Sequence, residues 1–240
     1  MVGNRTPVYP DLVLIENGVP RAVIVLSEQP TEKAKAAADD LCSVLEQMSG
    51  ARLPIVSDAA SVEGTRILVG ESRETVALGI ETPHGYPENE RVLVQRKGDC
   101  LVLLGNDDEV FTGTAFAVTM LLEKLGCGWF GPEELWQEIP HKETIAVGYL
   151  HIDHVPAFES RQTFVFRRNP ALARRWYMGG SNKQIDHAYH ALSRGSSILS
   201  SIPNGTAWWT ASATPTSIGG RCATPIPRWY RKPSGRWIST

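Results

Sequence analysis

The last fifth of this chain lacks acidic residues altogether. The 240-residue sequence carries 26 aspartates and glutamates, yet none follows Asp186. Residues 193–240 hold six lysines and arginines and four of the seven tryptophans, with no helical or strand period. Natural linkers rich in serine and proline rarely carry tryptophan. We therefore interpret residues 193–240 as an aberrant low-complexity tail and argue the fold and function from residues 1–192.

Further absences limit the classes of protein to consider. No apolar run approaches the roughly 20 residues of a membrane-spanning helix, and residues 1–10 lack the basic start and apolar stretch of a secretion signal. The net charge of −2 gives no reason to expect a nucleic-acid partner. The cysteines are too widely spaced for a C-x-x-C metal or redox motif. We expect buried structural thiols at Cys42, Cys100, Cys127 and Cys222.

Two long helices are predicted from apolar residues at helical spacing. The first begins at Pro30, runs to about Met48 and stops at Gly50. The second covers about residues 113–125 and ends at Gly126. A short helix is expected within residues 71–78.

Strands are predicted before, between and after the long helices. Residues 12–15 and 22–26 flank Asn17-Gly18, which favours a β-hairpin with a tight turn. Residues 91–95 and 100–104 form a second hairpin signal. Because strands occur both as hairpins and across helices, the sheet should be mixed. Shorter strands are expected at residues 53–56, 66–69, 138–139, 144–147 and 157–166.

Three segments, in this order and spacing, resemble one family. They read ENGVPRAVIV at residues 16–25, LGCGWFGP at 125–132 and PAFESR at 156–161. They are similar to the N-terminal accessory domain that precedes the barrel in β-N-acetylhexosaminidases, α-glucuronidases and many uncharacterised bacterial glycoside-hydrolase-like proteins. The last group is the most similar, and the resemblance covers about residues 11–192.

The resemblance implies an α+β domain over residues 11–150, with a mixed sheet and two long helices on one face, after an extension at 1–10. It also implies that residues 151–192 begin a (β/α)8-type barrel, onto which the domain docks in the intact parent. In such barrels chemistry lies at the C-terminal ends of the strands. The family's catalytic acids lie on later strands, which are absent here. The chain is thus expected to be an inactive accessory fragment of a glycoside hydrolase acting on polysaccharide or uronic-acid-containing glycans.

The family continues past residue 192 with an acid- and aromatic-containing stretch, which this tail lacks. Read one nucleotide earlier, the codons of residues 197–209 are compatible with QYFEQHPEWYGLV, and the remainder also regains acids and a helical apolar period. We therefore interpret the tail as a frameshifted translation of a truncated barrel. A genuine basic tail is the alternative.

Glycosidases generally need two carboxylates that face the scissile bond. Glu133 and Glu134 are adjacent and would diverge, so we expect solvated turn residues. Asp107 and Asp108 precede the second long helix, where they would cap free N–H groups and favour the helix dipole. No catalytic residue is therefore assigned.

Two other groups of residues are candidate ligand-binding sites. The His151-x-Asp153-His154 triplet lacks the i, i+4 spacing of a helical zinc pair, so we expect no metal, and no cofactor motif occurs. Within a complete parent, sugar-binding residues are expected near the first barrel strand, where they would meet hydroxyls, carboxylates or a pyranose face. These candidates are Arg161, His187 and His190.

Two rival functions remain open at this stage. The domain could instead be a stand-alone module that binds glycan or another domain through its helix-free sheet face, or a structural domain without ligand. The compartment stays unknown, although a secreted or periplasmic parent fits the substrate.

Overall fold

The computed structural model describes residues 10–85, 88–161 and 169–180. All of them belong to the first of two compact units of the chain, Met1–Lys183. His187, His190, Cys222, the predicted tail and most of the predicted barrel strand lie outside the described residues.

The described residues form thirteen short strands, four α-helices and two 3-10 helices, Glu88–Glu90 and Glu134–Trp136. The strands are β1 Leu12–Glu16, β2 Val19–Pro20, β3 Ala22–Leu26, β4 Ile55–Ser57, β5 Thr65–Val69, β6 Val92–Lys97, β7 Cys100–Gly105, β8 Gly128–Trp129, β9 Gln137–Glu138, β10 Ile145–Val147, β11 His151–His154, β12 Ser160–Arg161 and β13 Gly179–Gly180. The helices are α1 Glu32–Ser49, α2 Arg73–Ala77, α3 Gly113–Lys124 and α4 Pro170–Arg175. Within these described residues, no helix is long and apolar enough to cross a membrane.

A six-stranded mixed sheet occupies the centre, with strand order β11-β6-β7-β5-β3-β4. Strands β4, β3, β5 and β7 run parallel to their neighbours in that series. Strand β6 pairs antiparallel with β7 in the second predicted hairpin, and β11 adds antiparallel to β6. The α+β class and the mixed sheet predicted from the sequence are confirmed.

The first hairpin was predicted with the wrong second strand, residues 22–26. The turn at Asn17 and Gly18 forms, with φ of 50° and 72°, but β1 pairs with the two-residue β2 and then with β10 in a separate three-stranded sheet. Strand β3 leaves for the central sheet, where β4 and β5 occupy both of its edges. Since Ala22 and residues 24–26 are buried, β3 is a central parallel strand.

The two long helices cover one face of the sheet, as the resemblance implied. Their buried sides meet a single large cluster of apolar side chains from β3, β5, β6 and β7. The opposite face carries a smaller cluster, which the chain after α2 covers through Leu78 and Ile80. That second face is therefore not bare, although it is only partly covered.

Local chemistry fixes both ends of α1. The Thr31 hydroxyl accepts the Ala34 N–H at 3.0 Å. At the other end, Gly50 has φ of 75° and donates its N–H to the Glu46 carbonyl at 2.7 Å. A left-handed residue is cheapest as glycine, so the predicted stop is confirmed.

The start of α3 depends on a close backbone approach. A Cβ on Gly113 would lie 2.5 Å from the Asn106 nitrogen, so only glycine fits there. One Asp107 carboxylate oxygen accepts the Thr114 N–H at 3.1 Å, which confirms the predicted cap. The second oxygen accepts the Thr31 hydroxyl at 3.4 Å.

Candidate functional site

A shallow cleft of about 390 Å³ lies on the sheet face opposite the long helices. Its floor holds Leu93 and Gln95 of β6 beside Asp153 and His151 of β11, because directly paired residues share a sheet face. Residues 79–84 form the remaining wall. Clefts with a few convergent polar groups are the default place to seek a ligand.

Three polar side chains of this cleft, Arg91, Asp153 and His84, have partners in the structure. Arg91 clamps Asp153 through two bonds, Nε to Oδ1 at 2.7 Å and Nη2 to Oδ2 at 2.5 Å. The hydrogen bonds from Arg91 hold the pKa of Asp153 below its usual value. His84 Nδ1 in turn lies 3.2 Å from Asp108 Oδ2. The cleft is therefore preorganised and polar.

The predicted triplet around β11 splits across the sheet. His151 and Asp153 line the cleft, whereas His154 is opposite Val92, a residue of the helix-face core. Among the described residues, no group of three or more histidine, cysteine, aspartate or glutamate side chains could hold a metal ion.

Arg161 lies at a junction that ties the end of the described chain to the domain. Its guanidinium makes two bonds to Glu90, at 2.8 and 2.6 Å. It also donates to the carbonyl oxygens of Tyr177, at 2.7 Å, and Phe158, at 2.5 Å. The two charged side chains are only 14% and 12% exposed. A sugar contact through Arg161 stays a prediction, and it would require these bonds to be exchanged.

The junction strands β12 and β13 require glycine. Gly180 has φ of 90°, and a Cβ there would lie 1.9 Å from the Glu159 carbonyl oxygen.

The ion pair between Glu90 and Arg161 could not be predicted from the sequence, because the two residues are 71 positions apart. Long-range ion pairs follow from the topology of the chain and carry no local pattern.

The remaining half-buried carboxylates have structural partners. Burial raises the pKa of Asp107, which caps α3. Burial also raises the pKa of Asp40, whose Oδ1 lies 2.7 Å from the Arg175 guanidinium. Glu133 and Glu134 are exposed, as predicted for solvated turn residues.

The predicted buried thiols are confirmed for Cys42, Cys100 and Cys127. Burial raises the pKa of Cys127 to about 11. A thiol of that kind is protonated at neutral pH and therefore a poor nucleophile.

Comparison with known proteins gives similarity only in three dimensions. No family model and no curated protein matches the sequence. Among solved structures, a family GH115 4-O-methyl-α-glucuronidase with specificity for decorated arabinogalactans is similar over 63% of this chain, with 24% identity and a TM-score of 0.47. The GH20 β-N-acetylhexosaminidase from Streptomyces coelicolor A3(2) is similar over 70%, with 16% identity and a TM-score of 0.41. The chain spans only 19% and 31% of the lengths of these two enzymes.

Proposed function

We propose that residues 11–150 are the accessory, non-catalytic domain of a carbohydrate-active, glycoside-hydrolase-like protein, and that this 240-residue chain hydrolyses no glycosidic bond. The partner in this proposal is carbohydrate, bound by the barrel of the longer parent, against which the domain docks. The three segments that resemble the family support it, because each has a structural place. They form the β1 turn and β3, the end of α3 with β8, and the approach to β12.

The state of Asp153, which lines the cleft together with Glu81, carries the non-catalytic part of the proposal. A glycosidase needs one carboxyl group with a raised pKa as acid and a second carboxylate facing it. Asp153 is clamped by Arg91, and its pKa is lowered, which is the wrong direction for a general acid. The carboxyl groups with raised pKa values, Asp40 and Asp107, are bound to Arg175 and to the start of α3.

We propose further that the tail after residue 192 results from a shift of reading frame. The loss of acidic residues after Asp186 supports this, as does the acid-bearing sequence that the neighbouring frame allows. The part of residues 151–192 that follows β11 would then be the start of a truncated barrel, because β11 itself belongs to the central sheet. His187 and His190 would contact sugar only in the restored protein.

Two measurements test these proposals together. The purified 240-residue chain should release no product from aryl-glycosides or uronic-acid oligosaccharides, whereas the protein expressed from the restored frame should do so. Turnover by the chain alone would contradict the accessory assignment. Sequencing the DNA through codons 186–200 and several hundred bases downstream should show that the neighbouring reading frame stays open and encodes acid-bearing strands. A stop codon in that frame would contradict the frameshift.

A second function, a glycan-binding module, is favoured by one observation. Two large aromatic side chains, Phe130 and Trp136, lie exposed on the β8–β9 connection beside the exposed Leu135.

A further inference from the structure

Exposed apolar side chains concentrate on the connection between β8 and β9. Phe130 is 63% exposed, Leu135 87% and Trp136 52%. Trp176, at the end of α4, is 45% exposed, and its indole N–H donates to the Trp129 carbonyl at 2.6 Å. We call these four residues the aromatic patch: Phe130, Leu135, Trp136 and Trp176. A group of exposed apolar residues of this kind marks an interaction site more often than chance.

The backbone holds the rings of the patch in place. The Phe130 N–H donates to the Trp136 carbonyl at 2.7 Å, which closes the connection. The Phe130 ring lies against Gly128, where a Cβ would be 2.7 Å from its Cζ atom. Trp136 lies against Gly131 in the same manner, at 2.8 Å. Rings that are already ordered lose little conformational entropy when a ligand stacks on them.

The connection is also anchored to the domain core. Trp129 packs against the helix-face core, and the Arg175 guanidinium lies 3.9 Å over the centre of its ring. Arg175 is bound in turn to Asp40 of α1. The aromatic patch therefore sits on a rigid base, as a preformed binding surface should.

Hydrogen-bonding groups surround the patch. Glu133, Glu134, Gln137 and Glu138 are all exposed, and none of these glutamates forms an ion pair with another described residue. Their oxygens can accept hydrogen bonds from hydroxyl groups. Apolar ring faces beside free acceptors suit a pyranose, which presents a C–H face and a rim of hydroxyls.

The negative charge of Glu133, Glu134 and Glu138 favours a glycan over a protein as the partner of the patch. Burying three unpaired carboxylates under a protein would cost desolvation without compensation, and charged residues are depleted at the centres of protein interfaces. A solvated glycan leaves them in water. The same negative charges would repel a polyuronate.

We propose that the aromatic patch binds an uncharged polysaccharide by stacking pyranose rings on Phe130 and Trp136. The inference rests on the proposed function and deepens it, because it gives the accessory domain a glycan contact of its own.

Affinity gel electrophoresis of the full chain tests the proposal. Glucomannan and xyloglucan are the neutral probes, and polygalacturonate is the charged one. We expect retardation by at least one neutral probe and none by polygalacturonate. Trp136→Ala and Phe130→Ala should each weaken binding at least fivefold, while Trp136→Tyr should retain most of it. Phe158→Ala is the matched control, since Phe158 is 73% exposed outside the patch, and it should bind like the parent chain. Circular dichroism checks that each variant folds.

Three results would overturn the proposal. One is the absence of retardation by every neutral probe, and another is an equal loss in the Phe158→Ala variant. The third is concentration-dependent self-association that Trp136→Ala abolishes, which would make the patch an interface between copies. Hydrolysis of glycosides by the chain is measured separately. If the chain hydrolyses glycosides and the patch still binds glycan, only the accessory assignment is contradicted. If the chain neither hydrolyses glycosides nor binds glycan, only the present inference is contradicted.

Discussion

The two faces of the central sheet differ in how much they bury. The helix face gathers buried side chains from both long helices and from the strands into one large cluster. The other face has six buried residues and leaves a polar cleft beside them. Because apolar burial is the main favourable contribution to folding, the helix face should carry the stability of the domain. Substitutions around the cleft should cost less than substitutions in the helix-face cluster.

The largest expected effect tests this difference directly. Leu101 is fully buried on the helix face, and Leu93 is half-buried on the cleft face. Leu101→Ala should lower the free energy of unfolding by about 3–4 kcal/mol. Leu93→Ala should lower it by about 1 kcal/mol. Guanidinium titrations followed by far-UV circular dichroism measure both, and equal losses would remove the distinction between the faces.

A second prediction compares the stability of the Arg161 junction with that of the central sheet. Glu90→Ala leaves the mostly buried guanidinium of Arg161 without two charge-assisted bonds, and we expect a loss of about 2–3 kcal/mol. The loss should be local, so limited proteolysis near residues 158–161 should accelerate more than global unfolding. Glu90→Gln, which keeps one acceptor, is the matched control. Unchanged proteolysis of Glu90→Ala would show that the pair does not hold the junction.

A third effect concerns pH on the cleft face. The pKa of Asp153 is lowered by Arg91, so its contribution is present above the ordinary pKa near 3.8 and is lost as pH falls through the lower folded value. Asp153→Asn should therefore destabilise the domain at pH 7, by less than about 1 kcal/mol because the pair is part-exposed. The difference from the parent chain should shrink as the pH falls below 3.8. A difference that grew on acidification would contradict this sign.

The smallest expected effect is a pH dependence of opposite sign, at Asp107 before α3. Burial raises the pKa of Asp107, so its contribution is greatest below the ordinary pKa and is lost as pH rises through the higher folded value. Asp107→Asn keeps an acceptor for the Thr114 N–H and should cost no more than about 0.5 kcal/mol at pH 7. Asp107→Ala, without the cap, should cost about 1 kcal/mol. Thermal unfolding between pH 4 and 7 compares them, and a larger loss for Asn than for Ala would refute the capping role.

The sequence was sufficient for the elements whose signals are local. The Asn17-Gly18 turn, the Gly50 stop and the second hairpin each depend on residues a few positions apart. The pairing of β1 with β10 joins residues 130 to 135 positions apart, and no local pattern encodes it. The first hairpin failed for that reason: its turn was correct, but the returning strand belongs to another sheet.

The candidate sites show the same limit. Asp107 was predicted as a cap because its position before α3 is readable in the sequence. The clamp of Arg91 on Asp153 was not foreseen, since it needs β11 to lie beside β6. Phe130 and Trp136 were not singled out, because apolar residues are expected inside and only the structure shows them exposed.

Arg96 of β6 links the central sheet to the smaller sheet of β1, β2 and β10. Its Nη1 donates to the carbonyl of Pro10 at 2.6 Å and to that of Val147 at 3.4 Å, next to the pairing of Leu12 with Val147. The segment before β1 and the end of β10 are thus bonded to one side chain of β6, which lies 86 and 51 residues away from them in the sequence. A single guanidinium therefore joins two sheets that share no strand.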